Sequence, residues 1–101
     1  MKTLEHDGQL YLNITNALDL RYDSNMFTKI SSGIYIHNNI KLILLFKDIV
    51  ISIRRNNQLI FCTNMLNYLY IEQDDIINFY IPIENINKNI YTTVIRIHYI
   101  T

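Results

Sequence analysis

The segment IVISIRRNNQLIFCT, residues 49–63, decides the fold of this chain. In its first half Ile49, Ile51 and Ile53 alternate with other residues, so that they share one face of an extended backbone. The central pair, Asn56 and Asn57, tolerates the positive φ angles that a tight two-residue turn requires. Residues 59–63 then supply a second apolar run. The segment therefore predicts an antiparallel β-hairpin.

The rest of the chain has a composition that matches this hairpin. Twenty of the 101 residues are isoleucine and thirteen are asparagine. β-branched side chains suit a pleated, half-buried strand, whereas asparagine favours turns. Further predicted strands occupy residues 10–22, 34–37, 40–46, 68–72, 76–81 and 90–100. Between residues 33 and 54 the predicted strands follow one another closely, and we expect successive hairpins there.

Some segments are compatible with more than one structure. Residues 13–27 and 64–73 fit either a strand or a short helix, because their apolar residues recur at both spacings. Residues 23–33 are polar and mixed, which predicts a long loop or a short helix. Pro82, which has no N–H to donate, marks the end of a strand, and residues 84–89 predict an asparagine-rich loop.

Short strands at roughly ten-residue spacing favour an all-β fold with at most one short helix. We expect a single domain over residues 1–101: a small antiparallel β-sandwich or β-barrel of about seven or eight strands. In residues 40–46 both faces of the predicted strand are apolar. This pattern predicts that both faces are covered, one of them by another subunit.

The charge balance bears on partners. Nine basic and nine acidic side chains cancel, and only 18 % of the residues are charged. A neutral chain lacks the long-range attraction on which most nucleic-acid binding depends and the repulsion that keeps copies apart. Because few charges are present to cover the surface, we expect a protein partner and a homo-oligomer, with a dimer favoured, and we disfavour nucleic acid.

The composition also predicts a compartment. The single cysteine, Cys62, excludes an internal disulfide, and residues 1–8 lack the apolar core of a signal peptide. The densest apolar stretch, residues 40–53, is shorter than the roughly 20 residues of a membrane helix. We therefore expect an intracellular protein with no membrane segment. The isoleucine and asparagine content is typical of AT-rich genomes and suggests a virus, a phage or a low-GC bacterium; if the source is viral, the expected location is the cytoplasm of the host cell.

The residues with catalytic or metal-binding chemistry do not form a recognisable motif. Cys62 falls in mid-strand, where a thiol packs as a small hydrophobe; a thiol hydrolase site would require His6, His37 or His98 and an aspartate beside it. Residues 5–7, Glu-His-Asp, lie in a polar terminus without metal-ligand spacing. Asp74 and Asp75, which follow Glu72, are explained by turn chemistry. We predict no enzyme, no catalytic residue, no metal and no cofactor.

Eight tyrosines are the feature most suggestive of function. Tyrosine combines an apolar ring with a polar hydroxyl and is enriched at protein–protein interfaces. The sequence predicts partner binding by four of them: Tyr68, Tyr70, Tyr91 and Tyr99. The function expected is a non-enzymatic protein-interaction module, such as a viral or phage accessory protein that blocks a host component or a small assembly subunit.

The alternative is a β-barrel that binds single-stranded nucleic acid or a nucleotide. Its basic residues would be Arg54 and Arg55 at a hairpin end, with Arg96 and His98 on the outward side of the last strand. Bases would stack on the interleaved tyrosines. The zero net charge and the absence of a basic run count against this alternative.

Overall fold

The computed structural model describes residues 3–16, 25–44, 50–63, 68–85 and 95–99. These residues contain ten β-strands, one 3₁₀ turn at Ile83–Asn85 and no α-helix, which confirms the all-β class. The strands are β1 Thr3–His6, β2 Gln9–Asn13, β3 Phe27–Ile30, β4 Gly33–Ile36, β5 Ile40–Leu44, β6 Val50–Arg55, β7 Gln58–Thr63, β8 Tyr68–Ile71, β9 Ile76–Pro82 and β10 Ile95–Tyr99.

The strands form two antiparallel sheets. In the larger sheet β9 is the central strand. One edge of β9 pairs with β6, and β6 in turn pairs with β7. The other edge of β9 pairs with β4 and with β2. β3 and β1 extend these last two strands outward. The smaller sheet has the order β10-β5-β8. The domain is therefore organised around a central strand that lies late in the chain.

One hydrophobic core joins the two sheets. The larger sheet contributes the alternate residues Ile77, Phe79 and Ile81 of β9, and the smaller sheet contributes Ile40 and Ile71, all of them 1 % exposed or less. Burying an isoleucine or phenylalanine side chain contributes about 1.5–3 kcal/mol. The isoleucine alternation seen in the sequence is thus the alternation of a two-sheet core.

The predicted hairpin of residues 49–63 is confirmed as β6 and β7. The register pairs Ile51 with Cys62 and Arg55 with Gln58. Asn56 and Asn57 have φ angles of 51° and 63°. Positive φ at both central residues gives the type of turn that matches the twist of the two strands.

Two predictions about local structure are wrong. Residues 27–30 form β3 rather than a loop or a helix, because Met26 and Phe27 are buried in the core although the three residues that follow are exposed. The predicted succession of hairpins between residues 33 and 54 does not form, because β5 belongs to the smaller sheet while β4 and β6 belong to the larger one. Of the two segments left open, residues 64–73 contain the strand β8 at Tyr68–Ile71. In residues 13–27 the described part holds only the last residue of β2 and the first of β3, and residues 17–24 lie outside the described residues.

Gly33, the first residue of β4, permits β4 to pair closely with β9. Its φ is 142°, and a Cβ atom there would lie 2.6 Å from the carbonyl oxygen of Ile77. A larger residue at this position would separate the two strands, because the neighbouring atom belongs to the backbone.

Two of the connections between the sheets lie wholly within the described residues, at residues 37–39 and residues 72–75, and these two are adjacent. Backbone bonds join these crossings: Asp74 N donates to Ile36 O at 2.8 Å, and Ile36 N donates to Asp75 O at 2.9 Å. The Gln73 N–H donates to the Asn39 side-chain oxygen at 2.8 Å. The two crossings therefore form one hydrogen-bonded corner between the sheets.

Asp75 holds a buried charge at this corner. The residue is 1 % exposed, and its carboxylate accepts two bonds from Arg55, at 3.0 Å from Nε and 2.7 Å from the terminal nitrogen. The Glu72 backbone N–H donates to the same carboxylate at 2.9 Å. A buried carboxylate needs this degree of pairing, because transfer of an unpaired charge out of water is strongly unfavourable. Arg55 thereby ties the end of β6 to the corner.

Tyr35 adds a second polar contact beside the corner. Its hydroxyl donates to the Asp74 carboxylate, and this hydrogen bond raises the pKa of Tyr35 above its ordinary value of 10.0. The folded state therefore favours the protonated phenol. The contribution to stability is present below the ordinary tyrosine pKa and is lost as the pH rises through the raised value.

The corner provides a first prediction. Asp75→Asn keeps the shape of the side chain but removes its charge, and we expect a loss of about 1.5–3 kcal/mol in the free energy of unfolding, the usual worth of hydrogen bonds to charged groups. Arg55→Met leaves the carboxylate buried without its cation, and we expect about 3 kcal/mol or more. Urea unfolding monitored by tyrosine fluorescence measures both.

Asp74→Asn is the matched control, because Asp74 lies in the same turn, is exposed, and has a φ of 72° that asparagine tolerates. The amide oxygen of the new side chain can still accept the Tyr35 hydroxyl bond, so we expect a loss of about 1 kcal/mol or less. Equal effects of the Asp74 and Asp75 substitutions would contradict the role assigned to the buried charge.

Candidate interaction surface

The outer face of the smaller sheet presents two of the predicted tyrosines. Along β8 the side chains alternate: Leu69 and Ile71 pack toward the core, while Tyr68 and Tyr70 point away from it. Tyr68 is 40 % exposed and Tyr70 is 53 % exposed. Lys41 of the neighbouring strand β5 lies beside them, and we call Lys41, Tyr68 and Tyr70 together the tyrosine face.

The three side chains of the tyrosine face contact one another. The two rings meet edge to face, with centroids 5.4 Å apart and an interplanar angle of 79°. The Lys41 ammonium lies 4.5 Å from the centroid of Tyr68 and 5.9 Å from that of Tyr70. A cation at such distances is attracted by the ring electrons. The arrangement is a preformed aromatic pair with one positive charge.

The sequence pattern did not single out Lys41. Its only signal is a lone charge between Ile40 and Leu42, both of which are fully buried. Such a residue in an otherwise apolar strand points to the solvent face. Its position opposite Tyr70 depends on the pairing of β5 with β8, which is not local in sequence.

The register of β10 places two further predicted residues on this sheet. Arg96 pairs with Ile43, and His98 pairs with Lys41, so these backbone positions share the parity of the tyrosine face.

Tyr99 pairs with the fully buried Ile40, which puts position 99 on the opposite, core-facing parity. Tyr99 is therefore not part of the tyrosine face. Tyr91 lies outside the described residues.

The two adjacent arginines, predicted to act together, lie on opposite faces of β6. Arg55 is bound to Asp75 and also lies 3.3 Å from a carboxylate oxygen of Glu72. Arg54 is exposed on the outer face of the larger sheet. Because strand residues alternate between faces, neighbours in sequence cannot share one surface here. The four basic residues predicted to bind nucleic acid, Arg54, Arg55, Arg96 and His98, therefore do not lie together on one surface.

The remaining candidates are explained by local structure. His6 lies at the end of β1, and its ring is 3.4 Å from the Asp7 carboxylate. Asp7 and Gly8 form the turn between β1 and β2, so residues 3–13 are a hairpin.

The ring of His37 contacts the Thr28 hydroxyl at 2.6 Å. Cys62 occupies a register position opposite Ile51. Among the described residues no three His, Cys, Asp or Glu side chains converge as metal ligands.

Comparison of the chain with protein-family models, with curated proteins and with solved structures gave no match. Within the parts of the chain that the structure describes, no helix has the length and apolar character needed to cross a membrane. The tyrosine face therefore has to be interpreted from its own chemistry.

The tyrosine face gives a second prediction, which tests whether its side chains are available to a partner. We expect Tyr70→Ser to lower the free energy of unfolding by about 1 kcal/mol or less, the worth of an exposed aromatic pair. The adjacent Ile71, which is 1 % exposed, is the matched comparison, and Ile71→Ala should cost about 2–5 kcal/mol. Chemical denaturation measures both, and a larger loss for Tyr70→Ser than for Ile71→Ala would contradict the assignment of the two faces.

Proposed function

We propose that this protein is a non-enzymatic interaction module that binds another protein through the tyrosine face. The observation that best supports the proposal is the exposure of Tyr68 and Tyr70, 40 % and 53 %, side by side on the outside of the smaller sheet. Tyrosine offers a large contact area and a hydroxyl with few rotatable bonds, so little entropy is lost when it is fixed by a partner. Such residues are frequent among those that dominate binding energy.

The charge of the tyrosine face indicates the chemistry of the partner. Lys41 contacts both rings, and Arg96 and His98 occupy adjoining register positions. Among the described positions of this face there is no carboxylate. A partner surface that presents aspartate or glutamate beside an apolar group would be complementary in charge and in contact area.

We propose that copies of the chain associate through a surface other than the tyrosine face. In a two-fold symmetric dimer centred on the tyrosine face, the basic positions of one copy would lie against those of the other. Strand β7 is more suitable, since within the described residues it pairs only with β6 and carries Leu59 and Ile60, which are 47 % and 37 % exposed. Pairing of two such edges would bury these residues and extend the sheet into a homodimer.

A module of this kind acts by occupying its target. The role we propose is the blocking of a host component by a viral or phage protein inside the host cell, or the joining of subunits in a small assembly. Both roles require a shaped surface and no catalytic group.

Binding of single-stranded nucleic acid is the second candidate. The observation in its favour is the register that gathers Lys41, Arg96 and His98 around two exposed tyrosines. Stacking of a base on an aromatic side chain contributes about 1–3 kcal/mol. This candidate requires affinity that falls steeply with salt. Arg54 and Arg55 do not contribute, since they lie outside this face.

The third prediction tests these functions with three proteins: the natural chain, the double variant Tyr68→Ser/Tyr70→Ser, and Leu10→Ser. Leu10 is a matched control because it is 51 % exposed and lies in the larger sheet. We expect all three to elute as dimers of the 12.1 kDa chain in size-exclusion chromatography with light scattering, with a protein-only ultraviolet spectrum. A monomer would overturn the proposed self-association.

Binding is then measured by affinity capture from cells followed by titration of the purified partner. We expect the double variant to bind at least about tenfold more weakly than the natural chain, because a central tyrosine commonly contributes more than 1.4 kcal/mol. Leu10→Ser should bind normally. Equal binding by all three proteins would contradict the use of the tyrosine face. If the natural chain binds oligothymidylate in a salt-sensitive way and the double variant does not bind it, the tyrosine face binds nucleic acid rather than a protein.

A further inference from the structure

The larger sheet carries a polar cleft on its outer face, on the opposite side of the core from the tyrosine face. The cleft has a volume of about 470 Å³, and the lining residues that define its chemistry are Asn13, Ser52, Arg54, Ile76, Asn78 and Tyr80. Pockets that bury small ligands have volumes of roughly 300–1,000 Å³. We call these six residues the polar cleft.

The pairing of β9 produces the cleft. On one edge of β9, β4 pairs with Ile76 and Ile77 at the start of the strand and β2 pairs with Tyr80, Ile81 and Pro82 at its end. Neither ladder includes Asn78 or Phe79, which lie between the two paired stretches of β9. The walls of the cleft are the ends of these strands.

A hydrogen-bond network fixes the floor at this gap. The Asn78 side-chain oxygen accepts bonds from the Asn13 amide and the Thr15 hydroxyl, each at 3.2 Å, and the Asn78 amide donates to Ser32 O at 2.9 Å. The Thr15 hydroxyl accepts from the Phe79 N–H at 2.9 Å. The floor is thereby preorganised before any ligand arrives.

The network leaves donors rather than acceptors available. An asparagine amide has two N–H groups, and Asn13 and Asn78 each use one of them among the described residues. The oxygen atoms of both side chains already accept bonds. Ser52 is 2 % exposed, lines the cleft, and its hydroxyl has no hydrogen-bond partner in the described part of the chain. Because no side-chain N or O atom of the described residues is both fully buried and unpartnered, the Ser52 hydroxyl must be open to the cleft, where it can donate a hydrogen bond to a ligand.

Arg54 provides the charge. It is exposed at the cleft, forms no ion pair with the described residues, and no aspartate or glutamate belongs to the cleft lining. A guanidinium binds carboxylate and phosphate oxygens through two parallel N–H groups. Ile76 and Tyr80, both half-buried, offer apolar surface beside these polar groups.

We infer that the polar cleft binds a small hydroxylated oxyanion, such as a sugar acid or a sugar phosphate. The single guanidinium takes the one charged group. The neutral N–H and O–H donors of Asn13, Asn78 and Ser52 take hydroxyl or carbonyl oxygens, and the Ile76 and Tyr80 side chains contact the carbon skeleton. This activity is separate from binding at the tyrosine face, since the two surfaces lie on different sheets.

The fourth prediction uses amide NMR titrations of the natural chain with four probes: D-glucuronate, glucose 6-phosphate, glucose and inorganic phosphate. We expect saturable shifts of the Asn13 and Asn78 side-chain NH₂ signals with glucuronate or glucose 6-phosphate, and much weaker effects with glucose or phosphate alone. Arg54→Gln should weaken this binding at least about tenfold, because it removes the charge-assisted bonds. Ser52→Ala should weaken it by a smaller factor without loss of stability.

Lys29→Gln is the control for the loss of one positive charge, because Lys29 is exposed on β3 and is not part of the cleft lining. It should bind as the natural chain does. The inference is overturned if neither sugar anion gives saturable shifts, if glucose or inorganic phosphate binds equally well, or if Arg54→Gln binds as tightly as Lys29→Gln. Tyr68→Ser/Tyr70→Ser should bind the probes normally, so that failure here is distinct from failure at the tyrosine face.

Discussion

The buried carboxylate of Asp75 holds together the corner at which the chain passes from the smaller sheet to the larger one. It lies where the chain leaves β8 of the smaller sheet and enters β9 of the larger one, and it binds Arg55 at the end of β6. The same corner receives the crossing from β4 to β5 through the backbone bonds of Ile36. A buried ion pair contributes little net stability compared with an apolar replacement, but it penalises arrangements that separate its two partners. It therefore specifies which strand ends meet.

Once the sheets are joined at this corner, their outer faces acquire different chemistry. The smaller sheet turns Lys41, Tyr68 and Tyr70 outward, and these side chains form an aromatic surface with positive charge. The larger sheet turns the Asn78 network and Arg54 outward, in a cleft between the end of β2 and the start of β4. We propose that one surface binds a protein and the other a small anion, and the hydrophobic core separates these two surfaces.

Local features of the sequence predicted local structure. The turn at Asn56 and Asn57 depends only on neighbouring residues, so the β6–β7 hairpin followed directly from the sequence. Tyr68 and Tyr70 were selected by residue type alone, because residues 64–73 fitted either a strand or a helix; their outward direction depends on the strand alternation about the buried Ile71 that the structure shows. In contrast, β3 was missed because three of its four residues are exposed, and its formation depends on the burial of Phe27 and on pairing with β4.

Features that depend on pairing between distant strands were not predictable from one sequence. Arg54 and Arg55 are the same residue type in adjacent positions, and only the location of Asp75, twenty residues further along the chain, distinguishes the bound arginine from the exposed one. The polar cleft exists because β2 and β4 share one edge of β9, and no pattern within either strand indicates this. Likewise, the assignment of β5 to the smaller sheet placed Lys41 beside the tyrosines.

Hydrogen exchange of backbone amides is the most direct test of the central claim that the corner at Asp75 is an integral part of the fold. The Glu72 N–H donates to the Asp75 carboxylate at 2.9 Å and the Asp74 N–H donates to Ile36 O at 2.8 Å, although both residues are exposed in a turn. If the corner joins the two sheets, these amides exchange orders of magnitude more slowly than that of Asn57 in the exposed β6–β7 turn, and at rates close to that of Ile51 in the core. Exchange of Glu72 and Asp74 as fast as that of Asn57 would contradict the account.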